Sequence, residues 1–86
     1  MKIDLTFLKE VTSSDKFITM PQSTQLLFFH LIQSADLEGF TDQVRSAIFK
    51  AKASDADLEA LISKGFISVG LVSGVYIADW IQEGWQ

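Results

Sequence analysis

The sequence contains no cysteine, only one histidine (His30) and only five scattered glycines. Without cysteine, a disulfide framework, a thiolate nucleophile and a thiolate zinc site are all excluded. A zinc site or a serine–histidine pair would need other ligands to converge on the single imidazole, which a helical wheel places at the border of an apolar face. Neither glycine-rich phosphate loop, G-x-x-x-x-G-K-S/T or G-x-G-x-x-G, occurs. We therefore expect no enzymatic activity, no cofactor, no metal and no small-molecule substrate.

Long apolar runs and an excess of positive charge are also lacking. No apolar run approaches the roughly 20 residues needed to cross a bilayer, and the opening MKIDLTFLKE mixes charged with apolar residues, unlike a signal peptide. We expect a cytoplasmic protein without membrane contact. Eleven acidic residues outnumber seven basic ones, for a net charge of −4. Because this charge repels phosphate, any contact with nucleic acid must come from a local patch.

The 86 residues suit one domain with a single small core, organised around residues 54–80. Ser54, with Asp57 three residues later, resembles a capping box and begins a helix predicted over residues 55–64. Gly65 is placed to end that helix.

Two runs rich in β-branched and aromatic residues follow, and they predict a β-hairpin over residues 66–79. A tight turn at Ser73-Gly74 would set Val72 opposite Val75 and Leu71 opposite Tyr76. The wing that this hairpin forms carries no charge at its tip.

Two further helices are predicted before this stretch. Pro21, whose φ suits a first helical turn, begins a helix over residues 21–35, preceded by a short extended segment from Phe17 to Met20. After a turn closed by Gly39, Phe40 and Thr41 lead into a helix over residues 42–51.

The first residues alternate loosely between apolar and polar side chains, which predicts an edge strand over residues 3–11. Three helices followed by a hairpin, with this short N-terminal strand, indicate an α+β fold of the winged helix-turn-helix type.

The second helix carries the chain's basic patch. Arg45, Phe49 and Lys52 share one stripe at helical spacing, Lys50 lies beside it, and Lys64 ends the next helix. Three or four phosphate contacts would give a salt slope of about −3 and a roughly 40-fold loss of affinity between 50 and 200 mM salt. The alternative is a solvated helix face. The exposed face of the third helix, with Ala56, Glu59, Ala60 and Ser63, is a poor reader of bases.

The first helix is apolar on two sides. Its core face includes Leu27, Phe28 and Leu31, and Leu26 and Phe29 form a second stripe. This stripe is either covered by the N-terminal strand or the C-terminal tail, or it forms a self-association surface together with Trp80 and Trp85.

The segment from Asp15 to Phe40, DKFITMPQSTQLLFFHLIQSADLEGF, resembles the start of the phage replisome-organiser proteins of Gram-positive hosts. Those proteins have an N-terminal domain related in fold to the DnaD-type primosomal proteins. The resemblance extends from about Phe7 to Trp80, and its most specific pieces are Met20 to Gln25, Phe28 to Leu31, Asp36 to Phe40 and Lys64 to Phe66.

The resemblance implies a winged-helix domain at the front of a phage replication protein that binds origin DNA and helps to load the host helicase. The chain departs from the family's pattern at Ala78-Asp79 and Gln82-Glu83, where basic residues are typical.

Two hypotheses follow. The first is a replication-protein domain, in a bacterial cell or a phage-infected host, that contacts double-stranded DNA weakly through Arg45, Phe49, Lys50, Lys52 and Lys64. The second is a winged helix that binds protein partners or itself through Leu26, Phe29, Trp80 and Trp85, without direct contact to DNA.

Overall fold

The computed structural model describes residues 5–70 and 74–78. Within these residues the elements follow in the order α1 (Leu5–Thr12), α2 (Asp15–Ile18), α3 (Gln22–Ser34), β1 (Phe40–Thr41), α4 (Val44–Ala51), α5 (Asp55–Ser63), β2 (Ile67–Val69) and β3 (Val75–Ile77). The helices α3, α4 and α5 correspond to the predicted helices over residues 21–35, 42–51 and 55–64.

The strands form one antiparallel sheet in the order β1-β3-β2. The hairpin of β2 and β3 follows the three main helices directly, and β1, between the first and second of them, pairs with β3. Three helices, a C-terminal hairpin and this short strand confirm the predicted winged-helix architecture.

The core lies between the three main helices and the inner face of the sheet. Leu27, Leu31 and Leu61 are fully buried at the centre of the helices, and Ile67 and Ile77 close the core from the sheet. Aromatic rings extend it toward the start of the chain, because Phe28 packs at 5.5 Å from Phe66 and 5.7 Å from Phe17, measured between ring centroids. The core therefore fixes the positions of α3, α4 and α5, which carry the candidate sites.

The helix ends follow the local sequence signals. Both reciprocal hydrogen bonds of the capping box between Ser54 and Asp57 are present at the start of α5. After α5, Gly65 has a φ of +85°, a conformation that glycine adopts without steric cost. Gly39 has a φ of +80° in the turn before β1, as its position in the sequence predicts.

The predicted N-terminal strand over residues 3–11 is wrong, because α1 covers Leu5–Thr12. Leu8 falls where strict alternation requires a polar residue, and Leu5, Leu8 and Val11 are three residues apart, a spacing that suits one face of a helix. Val11 packs partly buried against the core. The spacing of the apolar residues in this segment therefore fits a helix better than a strand.

The predicted extended segment from Phe17 to Met20 is also wrong, since α2 occupies its first half. The Ser14 side chain accepts a hydrogen bond from the Phe17 amide at 3.3 Å and so caps this short helix. Phe17 is 2% exposed, so the extra turn anchors the chain before α3.

Phe40 and Thr41 do not lead into the second helix as predicted, because they form β1 opposite Tyr76 and Val75. The hydroxyl of Thr41 accepts a hydrogen bond from the Gln43 amide at 3.0 Å, which turns the chain toward α4. A strand of two residues is too short to show a period of two in the sequence.

The register predicted for the hairpin is wrong. Val75 lies opposite Val69, and Tyr76 lies opposite Ser68, so neither faces Val72 or Leu71. The Gly70 amide donates to the Gly74 carbonyl at 2.8 Å, so the connection between the strands is longer than a two-residue turn. This register sets the buried Ile67 and Ile77 opposite each other, and burial of one face is what fixes strand register. Residues 71–73, with the predicted turn residue Ser73, lie outside the described residues.

Candidate nucleic-acid interface

The structure places the five predicted nucleic-acid-binding residues at three separate locations. Arg45, at the start of α4, donates to the Asp55 carboxylate at 2.6 Å and forms an ion pair between α4 and α5. Their side chains are 71% and 74% exposed, so the pair contributes at most about 1 kcal/mol to stability. The pairing also cancels much of the charge that Arg45 would offer to a phosphate.

At the other end of α4, Phe49, Lys50 and Lys52 surround one open groove of about 510 Å³ together with Ile48 and Ala53. We call Phe49, Lys50 and Lys52 the α4 patch. The Phe49 side chain is 84% exposed, which makes it the most exposed large apolar residue in the described part of the chain. Neither lysine forms an ion pair with any residue in the ranges 5–70 and 74–78. The patch therefore combines an open aromatic ring with two uncompensated positive charges.

Lys52 reaches the groove through an unusual backbone conformation. It follows the last residue of α4 with φ 55° and ψ 42°, the left-handed region, and its amide donates to the Phe49 carbonyl at 3.2 Å. It is the only non-glycine residue with a positive φ in the described residues. Because α4 ends at Ala51, the extrapolated helical stripe does not continue to Lys52. The left-handed turn brings Lys52 to the same groove as Phe49 and Lys50.

Lys64 does not join the α4 patch. It follows α5 and lines a separate groove of about 260 Å³ that also includes Lys16, Glu10 and Phe66. The Lys16 ammonium lies 5.6 Å from the centroid of the Phe66 ring, a cation–π distance. The predicted set of five residues is thus reduced to three that share one surface.

The exposed face of α5 is acidic and short of hydrogen-bond donors. Asp55, Ala56, Glu59 and Ser63 are exposed, and Ala60 is partly buried. Asp57 points toward α3, where a hydrogen bond from the Thr24 hydroxyl, more than the opposing effect of burial, lowers the pKa of its carboxyl group. Asp57 is therefore a structural carboxylate, and the remaining acids of α5 face solvent.

The second apolar stripe of α3 is open in part. Leu26 and Phe29 are 48% and 39% exposed, and with Gln22 and Gln25 they line a groove of about 340 Å³. We call these four residues the α3 groove. Gln25 donates to the Met20 carbonyl at 2.8 Å, which holds the end of the α2 segment against α3. The other two predicted self-association residues, Trp80 and Trp85, lie outside the described residues.

His30 in α3 and Asp36 in the turn before β1 are the next side chains to consider. His30 is partly buried and its Nδ1 has no hydrogen-bond partner there, and no group of three or more His, Asp or Glu side chains could hold a metal ion. The Asp36 carboxylate accepts from the amides of Glu38 and Phe40 at 2.8 and 3.1 Å, so it stabilises the turn before β1. Among the helices of residues 5–70, none is long and apolar enough to cross a membrane.

Two residues of these surfaces are absent from the set that the sequence predicts. Asp55 pairs with Arg45, which lies ten residues earlier on another helix, and periodicity within one helix does not indicate such a contact. Gln25 lines the α3 groove with Gln22, Leu26 and Phe29. The spacing of these four residues along α3 is the signal that could have identified Gln25.

Comparison with protein-family profiles, curated proteins and solved structures finds no significant match to this chain.

Proposed function

We propose that this chain is a non-enzymatic winged-helix module that contacts the DNA backbone through the α4 patch, within a phage-type replication initiation protein of the replisome-organiser kind. It would act in the cytoplasm of a bacterial cell or a phage-infected host. The observation that carries the proposal is the 84% exposure of Phe49 in a groove that it shares with two lysines that lack ion pairs in the described ranges. The resemblance from Asp15 to Phe40 supports the replication setting.

The geometry favours the end of α4 over α5 as the contact. In a helix-turn-helix, the helix equivalent to α5 usually enters the major groove and reads bases with Arg, Lys, Asn or Gln. The exposed Glu59 would instead repel phosphates, and Asp55 is already paired with Arg45. We therefore expect binding that depends on the backbone and has little sequence preference.

The pairing of Arg45 and the separate position of Lys64 lower the expected number of phosphate contacts to the two made by Lys50 and Lys52. Two contacts correspond to a slope of about −1.8 for log affinity against log salt on duplex DNA, or a roughly 12-fold loss between 50 and 200 mM salt. Binding by a single copy of this module is expected to be weak.

Fluorescence anisotropy with a labelled duplex at low salt tests this proposal. The double variant K50E/K52E should lose binding, because each substitution replaces an attractive charge with a repulsive one. The single variants K50E and K52E should each weaken binding, and K9E is their control, because it makes the same change of charge at an exposed lysine of α1 that does not line the groove of the α4 patch. Absence of binding at low salt, or equal loss of binding in K9E, would overturn the proposal.

The α3 groove favours a second candidate function, self-association. Its four lining residues carry no charge, so two copies could meet there without electrostatic repulsion between groove residues, and Leu26 and Phe29 supply apolar area. Light scattering at high micromolar concentration tests this candidate. We expect a dimer or larger assembly that L26E dissociates and that V69E, which adds the same charge at an exposed β2 position, leaves intact. A strict monomer would exclude it.

A further inference from the structure

We infer that the α4 patch prefers single-stranded to duplex DNA, with an unpaired base stacked on Phe49 and the neighbouring phosphates held by Lys50 and Lys52. This inference rests on the proposed DNA contact and identifies the form of DNA that the same surface selects. It concerns the end of α4, whereas the helix that usually reads DNA in this fold is α5.

The ring of Phe49 has no aromatic or cationic partner among the side chains that the structure describes, which are those of residues 9–70 and 74–78. At 84% exposure it contributes little to the core. Other aromatic side chains, such as Phe17, Phe28 and Phe66, pack on one another. Phe49 therefore has a face free to receive a flat ligand.

A nucleobase is such a ligand only when it is unstacked. Stacking of a base on an aromatic side chain tightens single-strand binding by about 5-fold to 150-fold and tolerates any base, since every base has a π face. In a duplex the bases are already stacked on their neighbours, and flipping one out disrupts that stacking and its base pair. The ring of Phe49 can therefore favour a single strand without giving sequence specificity.

Charge complementarity selects an anionic ligand over an apolar one. Lys50 and Lys52 line the groove with Phe49, and no acidic side chain is among the five residues that line it. An aromatic ring with lysines beside it is the arrangement that single-strand binding surfaces use.

The acidic residue Glu59 of α5 further disfavours a duplex. Glu59 is exposed on the helix that would approach the major groove if a duplex docked in the usual way, and that helix offers no lysine or arginine to offset it. Repulsion between such charges and phosphates extends over about 10 Å at 0.1 M salt, and a duplex carries two phosphate backbones. A single strand that crosses only the end of α4 avoids much of this repulsion.

Anisotropy titrations with three labelled DNAs of equal length test the inference: oligothymidine, an abasic oligonucleotide that keeps the phosphates, and a duplex. We expect the wild-type protein to bind oligothymidine at least about fivefold more tightly than either of the others. F49A should remove that preference without weakening the binding of the abasic strand, and F49W should retain it. Because Phe49 is exposed, these substitutions leave the fold intact, which circular dichroism verifies.

The outcomes separate this inference from the proposed function. If none of the three DNAs binds, or if K50E/K52E changes nothing, the proposed DNA contact fails. If K50E/K52E abolishes binding but F49A behaves as the wild type, with abasic and thymidine strands bound equally, the DNA contact holds and the single-strand preference is overturned. Tighter binding of the duplex than of oligothymidine would also overturn it.

Discussion

The hydroxyl group of Thr24 donates a 2.5 Å hydrogen bond to the carboxylate of Asp57, joining α3 to α5 across 33 positions of the sequence. The other oxygen of the same carboxylate accepts from the Ser54 amide at 3.0 Å, which closes the capping box of α5. One side chain thus both begins α5 and fixes it against α3. Thr24 is 1% exposed, so water does not compete for its hydroxyl.

Replacement of Thr24 by valine should destabilise the fold. Valine keeps the shape of threonine but cannot donate, and a hydrogen bond to a charged group contributes about 1.5–3 kcal/mol. Urea unfolding measures the loss. Thr24→Ser is the matched control, because serine keeps the hydroxyl and removes only a methyl group, at a cost of about 0.8 kcal/mol. A Thr24→Val variant as stable as the Thr24→Ser variant would contradict the role assigned to this hydrogen bond.

The pKa of Asp57 predicts how stability depends on pH. The Thr24 hydrogen bond lowers that pKa in the folded protein, below the value of about 3.9 for an unfolded chain. Because the folded pKa is the lower one, the stabilisation by this carboxylate is present above about pH 4 and is lost as pH falls through the folded pKa.

Asp57→Asn should therefore reduce the fall in stability on acidification, and its deficit relative to the wild type should be largest near neutral pH. Urea unfolding between about pH 7 and about pH 3 measures both effects. Thr24→Val should also flatten the profile, since it removes the largest cause of the lowered pKa. Identical pH profiles for the wild type and Asp57→Asn would exclude a lowered pKa.

The backbone at Gly74 lies too close to β1 to leave room for a side chain. A Cβ at this position would collide with Cζ of Phe40 and lie 2.6 Å from the Thr41 carbonyl oxygen, so β1 would have to shift. We expect Gly74→Ala to cost about 1–3 kcal/mol or more. Gly65→Ala is the control, because nothing lies within 4 Å and only the positive φ opposes it. Thermal unfolding compares them, and a more harmful substitution at Gly65 would show that the space at Gly74 is not limiting.

The sequence predicts the longer elements, whose patterns extend over many residues, better than the short ones. The helices α3, α4 and α5 have apolar positions at helical spacing, turn residues at their ends and, in α5, a capping box, and all three are present. α1 is only eight residues long, and its loose alternation of apolar and polar residues also fits a strand. β1 has two residues and depends wholly on pairing with β3, so no local pattern could reveal it.

In the candidate site, the sequence predicts arrangements within one helix but not contacts between helices. The position of Phe49 and Lys50 beside one another follows from α4 itself, and helical spacing predicts the exposed face of α5 with Ala56, Glu59 and Ser63. The ion pair of Arg45 with Asp55 joins two helices, and the separation of Lys64 from the α4 patch depends on how the helices pack. Leu26 and Phe29 were correctly placed outside the core face, but only the packing decides that they remain partly exposed.

The left-handed conformation of Lys52 leads to the last prediction, on the stability of the α4 terminus. A residue with a Cβ in this region is destabilised by about 1–2 kcal/mol, and glycine is the usual residue after the end of a helix. Lys52→Gly removes this strain. It also raises the conformational entropy of the unfolded chain, which offsets about 0.4–1 kcal/mol of the gain in stability. We expect a net stabilisation of up to about 1 kcal/mol in urea unfolding, whereas Lys52→Ala, which keeps the strain, should not stabilise.

Both Lys52 variants remove the same charge, so both should weaken DNA binding to the same extent and should reduce the magnitude of the slope of log affinity against log salt by about 0.9. A variant that is more stable and yet binds less well would mean that the lysine at this strained position serves the α4 patch and not the fold, since a purely structural role would favour glycine. If Lys52→Gly is less stable than Lys52→Ala, the backbone at this position is not strained, and the argument from the left-handed turn fails.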